Sequence, residues 1–214
     1  MPKDEANKLV AKTDGHRQYI KTMANNIITF CIGPAGSGKS YSAIGYACQE
    51  FVAERFSKII VARPAVEASP RGLGYLAGSI EEKLGPYVQP AIEHLKHFLS
   101  PSGYHAAKHD KGIYFEALEY MQGRTYDNAF LILDEAQNCT TEQIIMFVTR
   151  IGLNSKMVIN GDYKQSSIGQ KSGLLKIIDK IQFAQLENFG VVELSHNDIV
   201  RNPILKPFLE AMEV

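Results

Sequence analysis

Between residues 33 and 40 the chain reads GPAGSGKS, and Gly33, Gly38, Lys39 and Ser40 fill the pattern G-x-x-x-x-G-K-S without a gap. An apolar run, IITFCI, precedes it, and a segment of helical spacing, YSAIGYACQEFV, follows. Glycines let successive backbone N–H groups curl around an anion where a Cβ would clash, and a helix N-terminus adds its dipole. Gly33, Pro34, Ala35, Gly36, Ser37 and Gly38 are therefore read as a phosphate loop, with Lys39, Ser40 and Tyr41 completing the nucleotide-binding set. Lys39 supplies a point charge for the β- and γ-phosphates, and Ser40 a ligand for Mg²⁺. The bland alternative is a glycine-rich turn with an incidental lysine, and the flanking strand and helix weigh against it.

Two further stretches carry matching chemistry. In AFLILDEAQN an apolar run delivers Asp134 and Glu135 to a strand's C-terminal end, which is where ligands bind on an open parallel sheet. Asp134 fits the carboxylate that holds Mg²⁺ through its water shell, and Glu135 is placed to polarise an attacking water. Alone, such a pair reads equally well as a helix cap. In INGDYKQS, Gln165 follows another strand, where a carboxamide can donate to a γ-phosphate or to the water. The competing reading is a glycine-aspartate turn with an exposed glutamine.

These residues need elements to position them. Five segments read as strands, at 27–32, 58–63, 129–133, 156–160 and 190–194, with a weaker sixth at 112–117. The middle ones are continuous apolar runs, as expected when helices cover both faces of a parallel sheet. Tyr41, Ile44, Ala47, Cys48, Phe51 and Val52 form one helical stripe, and Thr140 with Gln143 has capping-box spacing ahead of another. Asn202 and Pro203 would start a terminal helix. Alternating strands and helices predict a three-layer α/β domain with a mostly parallel central sheet. Residues 1–15 are expected to be mobile. Residues 64–111, with five prolines and five glycines, are read as an irregular insertion holding one helix near 88–99.

The 214 residues suit one core, and Lys plus Arg equals Asp plus Glu at 23 each, so there is no global positive field to capture nucleic acid. No apolar run reaches the roughly 20 residues of a membrane span, and the chain is expected to be cytoplasmic. Cys31, Cys48 and Cys139 lie apart in apolar segments and read as small core residues.

Taken in order, GPAGSGKS, IIVARPAVEA, GYLAGSIEEKLGPYVQP, YMQGRTYDNAFLILDEAQN, FVTRIG, NSKMVINGDYKQS, SGL and DIVRNP resemble the PhoH-like family, ATPases related to superfamily-one helicases. The resemblance covers residues 16–208. It implies a RecA-like P-loop NTPase fold, ATP hydrolysis with Mg²⁺, single-stranded RNA or DNA as partner, and a homo-oligomeric ring, a hexamer. Ser69 and Pro70 depart from the family's usual glycine and acidic residue, and the stretch after Gln165 is shorter. Where the family often has an adenine-reading glutamine this chain has His16, with Gln18 two places on as the candidate.

Related helicases use two such domains to place an arginine across the nucleotide, so here an arginine in trans would come from a neighbouring subunit. Arg201 in DIVRN is the first candidate and Arg150 the reserve. Arg63, in a position resembling a helicase strand contact, and Arg124 and Thr125 are candidates for holding nucleic-acid phosphates. The basic stretch 94–111, with Tyr104, could line a ring channel or be a solvated helix face. A small-molecule or nucleotide kinase is the competing enzyme class, though no arginine-rich lid is visible. A slow, nucleotide-gated binding module is the third reading. Guanine specificity is disfavoured, since no N-K-x-D follows the acidic strand.

Overall fold

Each apolar run becomes a strand because a continuous apolar segment can bury both of its faces only inside a sheet covered on two sides. The computed structural model describes residues 7–64, 80–200, 202 and 204–212. Its strands are β1 (Ile28–Ile32), β2 (Lys58–Arg63), β3 (Ile113–Ala117), β4 (Ala129–Leu133), β5 (Lys156–Gly161) and β6 (Phe189–Glu193). They form one sheet in the order β3-β2-β4-β5-β1-β6, and every pairing is parallel. The weak sixth segment of the sequence is β3, an edge strand whose middle residues are only half-buried, which explains its less apolar composition.

Alternation along the strands sorts side chains onto two cores. Ile59, Val61, Phe130 and Ile132 pack with Tyr19, Ile44, Leu95 and Phe98 from α1 (Asp14–Asn25), α2 (Lys39–Val52) and α3 (Ile80–Leu99), joined by α4 (Pro101–His109). Ile60, Leu131, Leu133 and Ile159 face the opposite way and pack with Ile144, Phe147 and Ile178 from α5 (Thr141–Val148) and α6 (Leu174–Ala184). This is the three-layer α/β arrangement, with α7 (Leu205–Ala211) after the last strand. The capping box at Thr140 is present on both sides: Gln143 N–H donates to the Thr140 hydroxyl at 3.3 Å, and Thr140 N–H to Gln143 Oε1 at 2.8 Å.

Two expectations need correction. Of the lead expected to be mobile, residues 1–6 lie outside the described residues, but the rest is tied down. Leu9 packs against the first core, and the Asn7 carboxamide donates to His97 O at 2.7 Å. Thr13 caps α1 by accepting from His16 N–H at 3.1 Å. At the other end of α1, Lys156 on β5 reaches back and donates to Met23 O and Ala24 O, carbonyls that the helix cannot satisfy itself. In the insertion, 65–79, including Ser69 and Pro70, lie outside the described residues, and the remainder holds two helices rather than one. Pro101, one of the five prolines of that stretch, sits in the first turn of α4 behind the Ser100 cap, where a missing N–H costs nothing.

Candidate nucleotide site

Strand order alone assembles the site. At the C-terminal edge of the sheet β2, β4, β5 and β1 lie side by side, so their tips present Arg63, then Asp134 and Glu135, then Asp162, then Gly33. These residues are scattered between positions 33 and 162 of the chain and become neighbours only through parallel pairing. In front of them lies a cavity of about 460 Å³, lined by Lys39, Ser40, Asp134, Glu135 and Gln165 among others.

The loop after β1 is held in a shape that glycine permits. Gly33 N–H donates to Gly161 O at 3.2 Å. A Cβ at Gly33 would meet Leu194 O at 2.7 Å. Gly38 caps α2 at φ 81°, and a Cβ there would meet His16 Nε2 at 3.0 Å. His16 is buried beneath the loop, its Nε2 2.8 Å from Ser37 O. A carbonyl can only accept, so Nε2 carries the proton. The Lys39 ammonium folds back onto its own loop, donating to Gly33 O at 2.6 Å and Pro34 O at 3.0 Å. It therefore presents its charge within the cradle that would receive phosphate.

Opposite the loop, Ser40 Oγ donates to Asp134 Oδ1 at 2.7 Å. The hydroxyl and carboxylate expected to share Mg²⁺ are thus adjacent, although 94 residues separate them in sequence. Asp162, also buried at the cavity wall, keeps Oδ2 without a hydrogen-bond partner among the described residues. A buried, unpartnered carboxylate oxygen beside a serine–aspartate pair is an oxygen-rich setting that fits a hard divalent cation with its water shell. Glu135 adopts φ 61°, a left-handed conformation disfavoured for a non-glycine residue. Its Oε2 accepts from Gln137 Nε2 at 2.6 Å, while Gln137 Oε1 accepts from Asp162 N–H at 2.9 Å. Gln137, almost fully buried, thereby fixes the carboxylate against the tip of β5.

Gln165 lines the cavity with an exposed side chain. Tyr41 lines it too, its ring edge-on to His94 with centroids 5.4 Å apart and its hydroxyl 3.2 Å from His97 Nε2. Gln18 does not line the cavity. Two residues rotate a helix by roughly 200°, so with His16 turned inward Gln18 faces solvent, and His16 occupies the place that the glutamine was expected to take. Arg63 is likewise corrected: its side chain is 16% exposed and its Nη2 donates to Asp134 Oδ2 at 2.8 Å, so it belongs to this cavity and offers no open surface to a strand. Arg124 is exposed and pairs with Glu116 at 2.6 Å, outside the cavity, and Thr125 beside it is exposed. Arg150 secures the end of α5 through Met146 O and reaches Arg124 O at 3.0 Å. Arg201 lies outside the described residues. Sequence reasoning missed Gln137 and the cavity role of His16; only the position of Gln137, three residues past the acidic strand tip, could have marked it. The three cysteines are buried, and burial pushes the Cys139 thiol up to about 12, with Glu119 adding to the rise.

A phosphate loop after the first strand, a serine–aspartate pair and an all-parallel sheet between two helical layers define a RecA-like P-loop NTPase fold. The large terminase of a thermophilic bacteriophage shares that fold with a TM-score of 0.58 at 12% identity, over 92% of this chain and 49% of the terminase. The chain belongs to the PhoH-like protein family, whose profile matches residues 8–213. It is 40% identical over 204 residues to a PhoH-like protein of Bacillus subtilis, covering 94% of this chain and 63% of that protein. It is 33% identical over 211 residues to Protein PhoH of Escherichia coli, covering 97% of this chain and 59% of that one. The chain therefore spans about three fifths of the length of these curated relatives. Among the described residues, no helix is long and apolar enough to cross a membrane.

Proposed function

We propose that this chain hydrolyses ATP and works as a homo-oligomer on single-stranded nucleic acid. The observation that carries the catalytic half is the Ser40–Asp134 contact facing the phosphate loop, with Glu135 clamped beside it by Gln137. ATP as the nucleotide, single-stranded RNA or DNA as the partner and a hexameric ring as the assembly rest on the family resemblance. Arg124 and Thr125, both exposed, are the proposed strand contacts, and Arg201 the proposed arginine in trans.

In this reading the backbone amides of residues 33–38 and the Lys39 ammonium bind the β- and γ-phosphates. Ser40 and Asp134 are the residues that would hold Mg²⁺, which supplies charge neutralisation of phosphate oxygens when bound. Glu135 orients a water and accepts its proton as the water oxygen bonds to the γ-phosphorus. The bond from that phosphorus to the β–γ bridging oxygen breaks, its electron pair staying with ADP. Gln165 donates toward the γ-phosphate and loses that partner when phosphate leaves. Once Lys39 exchanges its loop carbonyls for phosphate oxygens, loop and lysine hold positive charge where the transferred group develops negative charge.

The test is phosphate release from ATP, with and without single-stranded RNA or DNA, for wild type and Glu135→Gln. Turnover by wild type, stimulated by a strand and lowered roughly 10²- to 10⁴-fold in the variant, is the expected result. Transfer of phosphate to a small acceptor would replace this reading with a kinase. Slow release indifferent to any strand would leave only a nucleotide-gated binder.

A further inference from the structure

Arg63 was expected to touch nucleic acid, yet its surroundings fit neither a strand contact nor a structural ion pair alone. It closes β2, whose tip is next to that of β4 in the sheet, so its side chain emerges beside the acidic pair. Nη2 lies 2.8 Å from Asp134 Oδ2 and 3.6 Å from Glu135 Oε1. The other oxygen of the same Asp134 carboxylate accepts from Ser40. One carboxylate width thus separates the guanidinium from the phosphate-loop serine. Nη1 donates to Tyr87 O on α3, which fixes the fork from behind. Nε is buried and has no hydrogen-bond partner among the described residues.

An arginine with an unsatisfied buried N–H is costly to keep, because that donor has given up water for nothing. A paired ion needs nothing from the cavity; this one lines it with spare donor capacity. Arg63 shares the cavity with Lys39 and Gln165, and it stands on the side of the acidic pair away from the lysine's loop, as the strand order requires. A guanidinium there can meet the oxygens of a transferring phosphoryl group that the lysine does not cover. Its planar fork suits that geometry better than an ammonium would.

We propose that Arg63 is a catalytic residue acting in cis: it contacts the terminal phosphoryl group within its own subunit and neutralises charge that develops there as the bond to the bridging oxygen breaks. This rests on the ATP-hydrolysis reading above and changes one part of it, since the subunit then carries an arginine at the reacting phosphate whatever a neighbour adds. Water supplies the incoming oxygen, Glu135 takes its proton, and Arg63 exchanges no atom; it contributes positive charge and donors alone.

The experiment compares wild type with Arg63→Lys and Arg63→Gln by isothermal calorimetry, using MgADP alone and MgADP with aluminium fluoride, which stands in for the transferring phosphoryl group. Both variants should bind MgADP within about threefold of wild type. Both should lose about 10²-fold or more of the extra affinity that aluminium fluoride confers, with kcat falling in parallel and KM nearly unchanged. Mixing Arg63→Gln with Lys39→Ala subunits should restore nothing. Undiminished aluminium-fluoride affinity, loss of MgADP affinity of the same size, or rescue in the mixture would each overturn the assignment. Loss of single-stranded RNA affinity with fluoride binding intact would return Arg63 to the role of strand contact. If wild type itself takes up no MgADP, the nucleotide reading fails first and Arg63 with it.

Discussion

Glu135, the residue proposed to orient the water, and Gln137, which holds its carboxylate, are separated by one alanine and differ in how far the sequence announces them. Glu135 follows an apolar run and an aspartate, a pattern with a mechanism behind it. Gln137 has no periodic signal, because its importance comes from reaching Asp162 N–H across the sheet, a contact between positions 25 apart. Its carboxamide uses one end for that amide and the other for Glu135 Oε2, so neither oxygen nor nitrogen is spare. Replacing it with alanine frees the Glu135 carboxylate and leaves a buried N–H without an acceptor. Gln137→Ala should therefore lower ATP turnover by roughly 10- to 100-fold, the scale seen when a residue orienting a functional ligand is lost. Thermal melts should show a loss of about 1–3 kcal/mol. MgADP affinity in calorimetry should hardly move, since the phosphate loop is untouched. The phosphate loop, Asp134 and Glu135 were readable as residue types at fixed spacing; Gln18 was misplaced because two steps along a helix reverse the face.

Helices were legible in proportion to how much of their surface is apolar. The stripe of α2 stands out, whereas α1 buries only His16, Tyr19 and Met23, with Ile20 partly packed beside them, and most of the rest is polar, so its spacing carries little contrast. α3 could be placed only in its second half, because Gly85 and Pro86 break the pattern of its first half. Contact between α2 and α3 explains a residue that propensity argues against. Gly45 lies in the middle of α2, where glycine costs about 1 kcal/mol relative to alanine. A Cβ there would come 2.6 Å from Phe98 Cζ and 2.9 Å from its Cε2, and Phe98 is fully packed in the core with no room to retreat. The glycine is retained so that α3 can approach. Gly45→Val should then destabilise the fold by about 1–3 kcal/mol through overpacking. Urea unfolding with an unchanged slope and a lower midpoint is the readout; a midpoint at or above wild type would show that α3 gives way at no cost.

At the scale of the whole molecule, the first helix and the segment after the last strand are locked together by one carboxylate, and this closes the chain around the site. Asp198 Oδ1 accepts from Thr13 Oγ1, the α1 cap, at 2.5 Å, and its Oδ2 accepts from Ser195 N–H at 2.8 Å and Ser195 Oγ at 3.2 Å. Gly15 has no side chain because Asp198 fills the space a Cβ would need. Val10 and Lys12 on one side of this lock, and Val200 on the other, line the nucleotide cavity. Such closure was not legible in the sequence: the strands could be found, but not that β6 and β1 pair and bring residue 198 to residue 13. Burial alone would raise the Asp198 carboxyl, but the hydrogen bonds from Thr13 and Ser195, with His16 nearby, outweigh it and hold the group below the usual carboxylate range. A carboxyl depressed in the folded state favours folding at every pH above its unfolded value of roughly 3.9. That contribution disappears as pH falls from there through the folded value, when the protonated acid can no longer accept all three bonds. Asp198→Asn should accordingly lose stability at pH 7 and much less of it at pH 3, so the two proteins converge in acid. Chemical denaturation at a series of pH values measures this directly. A stability gap that stays constant from pH 7 to pH 3 would mean that the carboxylate charge plays no part in holding the two ends of the chain together.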